Sequence, residues 1–208
     1  LEHIDVALVY FEVGSQKETV LCERHSAAEL HAHFADVCER FAAWAEQELA
    51  HRRARDDSLT AMTFVHPQFR AGQRELAESV YKAAATGRCL LAQAPTGIGK
   101  TIGTVFPLLK ACPTQGLDKV YFLTAKTSGR AAALHAIATL RAHHPTLRLR
   151  ELELRAKDKA CEHPDRACHG QSCPLAQGFY DRLPAARAQA AAAGSLTHEA
   201  VRAIALAH

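Results

Sequence analysis

The feature that most constrains this chain is a glycine-rich segment near its middle. The segment reads Ala94-Pro95-Thr96-Gly97-Ile98-Gly99-Lys100-Thr101. It matches the phosphate-binding P-loop pattern, with Ala94 where the first glycine often stands. Gly97 and Gly99 permit the tight turn that wraps backbone N–H groups around a phosphate. The alternative, a chance glycine-rich turn, is disfavoured because an apolar strand is expected before the segment and a helix after it.

The P-loop pattern predicts a chemical role for each of the last two residues of this segment. A helix that begins at Lys100 aims its positive end at bound phosphates. The Lys100 ammonium is expected to reach the β- and γ-phosphate oxygens, and the Thr101 hydroxyl to ligate Mg²⁺. Residues 94–101 are therefore the predicted nucleotide-binding loop, with Lys100 and Thr101 as the predicted catalytic residues.

Helical and strand-like patterns alternate around the glycine-rich segment. The expected helices cover residues 72–86, 100–111 and 127–143, and the expected strands cover 88–94, 118–125 and 147–154. Gly87 is the expected C-cap of the first helix. Strands alternating with helices at this spacing predict an α/β fold, with a parallel sheet and helices on both of its faces.

Two further segments are candidate binding segments because of their positions before and after the loop in the sequence. Arg70 and Gln73 lie about twenty residues before it, and a glutamine amide offers the donor and acceptor that suit an adenine edge. Polar residues also end the second expected strand and open the next helix. They are Thr124, Lys126, Thr127, Ser128 and Arg130. Such a segment can bind a nucleic-acid backbone, whereas taken alone it is better explained as an ordinary polar loop.

Three of the seven cysteines lie close together, at Cys161, Cys168 and Cys173. Their spacing lacks the C-x2-C pairs of most structural zinc modules. Tetrahedral zinc would require His163 or His169 as a fourth ligand, and an iron–sulfur cluster would prefer a fourth thiolate. The spacing alone leaves a cluster, zinc and no metal equally open.

The first sixty residues follow a different pattern. Residues 4–13 and 18–23 predict a β-hairpin. Ser26 and Glu29 form the expected capping box of a helix that carries an apolar stripe, and the stripe is expected to pack on another element. The charge-dense residues 51–58 are expected to form a helix end or a linker, with a domain boundary near residue 60.

The composition restricts the class of protein. The chain is 48% hydrophobic and 23% charged, which is typical of a globular protein. Its formal net charge of +3 gives little information about nucleic acid. No apolar run reaches the ~18–20 residues of a membrane span. We therefore expect a cytoplasmic protein without a membrane partner, in which clustered thiols favour metal or redox chemistry over disulfides. The chain is also expected to be a fragment of a longer protein.

The order of these motifs resembles that of a known family. The segments FRAGQ, APTGIGKT and FLTAKTSGR, followed by a cysteine-rich insertion, are similar to iron–sulfur superfamily 2 DNA helicases of the XPD/DinG type. The stretch CPLAQGFYDRL is most similar to bacterial DinG-like members. The resemblance covers residues 64–208. It implies a P-loop RecA-like motor domain over residues 61–155 and an incomplete iron–sulfur insertion over residues 156–208.

The resemblance also implies an activity and its cofactors. The expected function is ATP-dependent DNA unwinding in the 5′→3′ direction during DNA repair, with ATP, Mg²⁺ and a [4Fe-4S] cluster as cofactors. Arg70 and Gln73 would recognise adenine, and Thr124, Lys126, Thr127 and Arg130 would contact DNA. Cys161, Cys168 and Cys173 would ligate the cluster. The expected partner is DNA, as a single strand and at a fork or duplex junction, and the protein is expected to be a monomer.

Several parts of the family pattern are absent from these 208 residues. The acidic DEAH-like motif, the second motor domain and the fourth cluster cysteine are expected beyond His208. This chain alone is therefore expected to bind nucleotide weakly and to be inactive as an ATPase. Residues 1–60 resemble the end of a restriction-endonuclease-like nuclease domain, although they show no paired carboxylates with a lysine. A structural appendage explains them equally well.

Two alternative functions remain open at the level of sequence. One is a P-loop nucleotide-binding protein with a zinc-stabilised module that binds nucleic acid or protein. The other is a helicase–nuclease fusion.

Overall fold

The structure is a computed structural model that describes residues 2–125 and 127–208, without the side chains of Thr127 and Ser128. The chain mixes helices and short sheets, as the predicted α/β class requires. It divides into two compact units, Leu1–Arg53 and Ala54–His208. Within the described residues, none of the helices has the length and apolar character needed to cross a membrane.

The first unit begins with the predicted hairpin. Strands β1 (His3–Glu12) and β2 (Lys17–Ser26) pair antiparallel, with Leu8 opposite Leu21. Across the two strands, Asp5 accepts two hydrogen bonds from the Arg24 guanidinium, at 2.7 and 2.9 Å.

Helix α1 (Ala27–Ala61) begins directly after the hairpin. The predicted capping box is confirmed. The Glu29 carboxylate accepts from the Ser26 N–H at 2.7 Å, and the Ser26 hydroxyl accepts from the Glu29 N–H at 3.2 Å. These bonds satisfy backbone donors that the first turn of a helix leaves unpaired.

The expected packing of the apolar stripe on α1 is wrong for this chain. Phe34, Phe41 and Trp44 each expose about half or more of their surface, and the rings of Phe41 and Trp44 contact each other at 5.6 Å. An apolar periodicity indicates which face of a helix tends to be buried. It does not show that another element is present to cover that face.

The second unit contains the three helices predicted around the glycine-rich segment. They are α2 (Gln73–Thr86), α3 (Lys100–Gln115) and α4 (Thr127–His143). Gly87 caps α2 in the left-handed conformation, with φ of 63°, as predicted. Helix α3 is four residues longer than predicted and ends at Gly116, which has the same left-handed geometry.

The main core of the second unit lies between α3, α4 and the end of α1. Its fully or almost fully buried members are Leu59, Met62, Val65, Val105, Leu109, Cys112, Leu140 and Leu147. The carboxyl end of α1 is thus a core element of the second unit and not an exposed linker. The Lys110 ammonium, on α3, donates to the carbonyls of Leu59 and Thr60 at 3.1 and 2.7 Å. A cation at this position satisfies carbonyls that the last turn leaves free.

The predicted parallel sheet is not formed among the described residues. Residues 88–94 and 118–125 are neither helix nor strand. From the predicted strand over 147–154, only β3 (Glu151–Leu152) pairs, in parallel with β4 (Ser195–Leu196). A central parallel strand needs hydrogen-bonding neighbours on both sides. Leu91 and Leu123, in the two irregular segments, are instead exposed.

The cysteine-rich segment is mostly irregular. A single helical turn, α5 (Lys157–Ala160), precedes it. Helices α6 (Phe179–Ala193) and α7 (His198–Ala207) follow it, and β4 separates them. Helix α6 begins at Phe179, directly after Gly178, and Gly194 follows its last residue.

The core assignment predicts unequal effects of two leucine truncations on α1. Leu59→Ala removes a side chain with no exposed surface and should lower the free energy of unfolding by about 2–5 kcal/mol. Leu49→Ala, where 52% of the residue is exposed, should change it by only about 0.5 kcal/mol. Urea unfolding followed by circular dichroism measures both. Equal unfolding midpoints for the two variants would contradict the role of α1 in the core.

Candidate functional site

The glycine-rich segment forms a tight loop that leads directly into α3. Gly97 and Gly99 have φ values of 85° and 81°, in the left-handed region where only glycine is unstrained. The first turn of α3 follows, with the Gly103 N–H donating to the Gly99 carbonyl at 2.9 Å. The first N–H groups of a helix have no intrahelical acceptor and carry a partial positive charge. The loop therefore has the backbone geometry of an anion site.

Lys100 adds a full charge to this site. Its ammonium donates to the carbonyls of Ala94 and Pro95, at 3.1 and 2.9 Å. The loop's own backbone thus holds the cation at the start of the loop. Thr101 lies in the first turn of α3 and is partly exposed. The two predicted catalytic residues therefore lie next to each other at one end of the loop.

A second layer supports the loop from the start of α2. Gln73 is 2% exposed, and its amide nitrogen donates to the Gly99 carbonyl at 3.3 Å. Its amide oxygen accepts from the Arg70 N–H at 3.1 Å. Both ends of the amide contact backbone of the chain itself, so the structure gives Gln73 a supporting role. Its predicted contact with adenine stays a prediction.

Arg70 and Gly72 complete this second layer. The Arg70 guanidinium donates to the Gly97 carbonyl. Gly72 lies against the Ile98 side chain, so closely that a methyl group on it would be 3.1 Å from that side chain. The start of α2 therefore contacts three consecutive residues of the loop, which fixes the loop against a rigid element.

The predicted DNA-contact segment is described only in part. Lys126 and the side chain of Thr127 lie outside the described residues. Thr124 lies against Gly129, where an added methyl group would be 3.0 Å from the Thr124 side chain. The Arg130 guanidinium forms an ion pair with Glu153 at 2.7 Å. Arg130 is therefore already paired with a carboxylate of the chain.

Glu153 joins three parts of the second unit. Its side chain is 4% exposed and is paired with both Arg130 and Arg155. It also accepts from the His198 N–H at the start of α7, at 2.9 Å. Burial raises the pKa of Glu153, but the hydrogen bonds from His198 and Arg155, together with the charges of Arg155 and Arg130, outweigh it. The net pKa therefore lies below its usual value.

Sequence reasoning missed Glu153, although a signal for it exists. The segment 147–154 alternates, and Leu147 and Leu149 occupy the buried phase. Glu151 and Glu153 continue the same phase, which places two carboxylates on the side of the strand that is buried. A buried carboxylate requires cationic or hydrogen-bonding partners.

The three clustered cysteines differ in their surroundings. Cys173 is buried, Cys161 is half-buried and Cys168 is exposed. Over the described part of the chain, no three His, Cys, Asp or Glu side chains come together as a group that could hold a metal ion. In this arrangement the three cysteines do not form such a group, and the predicted cluster stays a prediction. His169 is hydrogen-bonded to the Ser172 hydroxyl at 3.0 Å, which fits the role of a loop residue.

Comparisons with family models, with curated proteins and with solved structures gave no significant match to this chain.

The contact between Gly99 and Gln73 predicts a strong effect of one methyl group. Gly99→Ala would place a methyl carbon 2.4 Å from the Gln73 amide nitrogen and would force alanine into a left-handed conformation. Gly116→Ala has similar backbone strain, with φ of 64°, but nothing lies within 4 Å of the added carbon. We expect G116A to lose ~1–2 kcal/mol of stability and G99A clearly more. Thermal unfolding of both variants measures this, and equal losses would show that Gln73 does not support the loop.

The buried Glu153 carboxylate predicts a pH-dependent stability. Because its folded pKa is lowered, its contribution is complete above the unfolded-state pKa of about 4.3 and is lost as the pH falls through the folded pKa. Glu153→Gln should cost roughly 1–3 kcal/mol at neutral pH, and this deficit should shrink below about pH 4.

The matched control for this prediction is Glu78→Gln. Glu78 forms an exposed pair with Arg74 on α2, and such pairs contribute about 0–1 kcal/mol. Urea unfolding of both variants at several pH values gives the comparison. A deficit of E153Q that stays constant from neutral to acidic pH would contradict a charged role for Glu153.

Proposed function

We propose that this chain is the ATP-binding part of an ATP-dependent DNA helicase of the iron–sulfur superfamily 2, XPD/DinG type. One observation carries the proposal. A loop with two left-handed glycines leads into α3, holds Lys100 at its start and is supported by Gln73 from α2. This arrangement provides backbone donors, a helix start and a fixed cation at a single place, which together suit a polyphosphate.

In this proposal the loop binds the phosphates of ATP. The N–H groups at the start of α3 donate to phosphate oxygens, and the Lys100 ammonium neutralises the β- and γ-phosphates. Thr101, beside it, supplies the hydroxyl for Mg²⁺. Gln73 and Arg70 bind carbonyls of the loop, so these carbonyls need no partner from the nucleotide.

The proposal includes the finer fold, a P-loop RecA-like parallel sheet with helices on both faces. It is supported by the order of elements, in which α2, α3 and α4 alternate with the apolar segments 88–94 and 118–125. Parallel strands of such a fold would occupy these two segments. Their exposed leucines are the side chains that a sheet packed between helices would bury.

The DNA contact is proposed for the segment that opens α4. Thr124, Lys126 and Thr127 would bind the phosphate backbone of one strand. Arg130 enters the proposal with a changed role. Since Glu153 neutralises its guanidinium, Arg130 holds the segment in place and contributes little charge to DNA.

The iron–sulfur cluster is the part of the proposal that rests on the motif order alone. Cys161, Cys168 and Cys173 are its proposed ligands, and their present arrangement does not form a metal site. No step of nucleotide or DNA binding is assigned to the cluster.

Titration of the chain with a fluorescent ATP analogue and Mg²⁺ tests the nucleotide site. Lys100→Ala removes the cation next to the phosphates and should weaken binding by at least about tenfold, which corresponds to ~1.4 kcal/mol. Lys82→Ala, on the exposed side of α2, is the matched control and should leave the affinity unchanged. Equal affinities of K100A and the unmodified chain would remove the nucleotide site from the proposal.

A labelled single-stranded oligonucleotide tests the DNA part on the same chain. Binding measured by anisotropy should weaken steeply as salt increases, because phosphate contacts release counterions. A chain that binds the ATP analogue but not DNA would instead be a P-loop nucleotide-binding protein without a helicase role.

A further inference from the structure

One arginine organises the backbone that follows Cys173. The Arg182 guanidinium, on α6, donates to the carbonyls of Leu175 and Gln177, at 2.9 and 2.7 Å. It also donates to the carbonyl of His208, after the end of α7, at 3.0 Å. A planar guanidinium with five N–H donors can serve several acceptors at fixed angles, which a lysine cannot do. Arg182 thus joins the turn after Cys173 to both α6 and α7.

A second arginine organises the backbone at Cys161. Arg202, in the middle of α7, pairs with the carboxylate of Glu162 through two nitrogens, with one contact at 3.2 Å. The guanidinium and the carboxylate carry opposite charges at neutral pH, so this contact is an ion pair. The residue next to Cys161 is therefore tied to the same helix as the turn after Cys173.

The two outer cysteines lie next to these contacts in the sequence and are less exposed than the middle one. Cys173 is buried and Cys161 is half-buried, and each lies within two residues of a segment that an arginine holds. Cys168, between them, is exposed. Helices α6 and α7 have no buried residues of their own, so apolar packing contributes little to holding this region.

We propose that Arg182 and Arg202 are positioning residues that fix the two outer cysteines against α6 and α7 and leave Cys168 accessible. This role concerns only contacts within residues 161–208 and does not depend on nucleotide or DNA binding. It applies to the chain without a bound cluster, in which the three thiols are free. It predicts a fixed order of thiol reactivity, with Cys168 fast, Cys161 intermediate and Cys173 slow, because a thiolate reacts only when a reagent can reach it.

Alkylation by iodoacetamide, followed by peptide mass spectrometry, measures each thiol separately. In this reaction the thiolate displaces iodide and forms a carbon–sulfur bond, and the thiol proton passes to the buffer. Arg182→Ala should raise the rate at Cys173 by at least about tenfold, because the turn that follows Cys173 loses its contacts with α6 and can open locally. Arg187→Ala, an exposed arginine on α6, is the matched control and should leave the rate unchanged.

Cys112 distinguishes local opening from general unfolding. It is buried in the main core, far along the chain from the cysteine-rich segment. If R182A accelerates Cys173 but not Cys112, the effect is local and the proposal is supported. If both thiols accelerate together, or if Cys173 stays slow, Arg182 does not position Cys173 and the proposal is overturned.

A charge exchange tests the second arginine in the same assay. Arg202→Glu places two carboxylates opposite each other and should accelerate Cys161 alone. The double variant E162R/R202E restores an ion pair in the reverse orientation and should return the rate at Cys161 towards its original value. A double variant that reacts as fast as R202E would show that the Arg202–Glu162 contact does not position Cys161.

Discussion

The packing of α3 in the second unit fixes the position of the loop on which the proposed function depends. Val105 and Leu109 of α3 are buried together with Leu59 from the end of α1. On another side of the helix, Gly103 lies against Leu76 of α2. A helix held on two sides cannot rotate, so the direction of its first N–H groups is set by the core. The glycine-rich loop directly precedes α3, so the position of the helix also determines the position of the loop.

The region after residue 150 is stabilised differently. Its contacts are mainly polar, with Glu153 joining α4 to the start of α7, and with Arg182 and Arg202 joining the cysteine-rich segment to α6 and α7. Polar contacts depend on direction, so they specify geometry while adding modest net stability. A module held in this way can open locally while the core around α3 stays folded.

The sequence predicted the elements whose signals are local. Glycine caps, the Ser26–Glu29 capping box and apolar periodicity gave the hairpin and the starts of the three central helices, whereas α3 ends four residues later than predicted. Local signals also located the glycine-rich loop, because its two glycines and its lysine lie within a few residues of each other. For the sheet, local signals were insufficient. An apolar segment such as residues 88–94 forms a paired strand only where other strands lie beside it. Such pairing depends on residues that are distant in the sequence.

The sequence by itself determined the loop, the start of α3 and the presence of three cysteines, since each follows from residue types at short spacing. Only the tertiary structure decided how these parts are supported. It placed Gln73 beneath the loop and paired Arg130 with Glu153, and it made the end of α1 part of the core. Each of these contacts joins residues more than twenty positions apart, and their choice of partner depends on packing and burial, which no local pattern encodes.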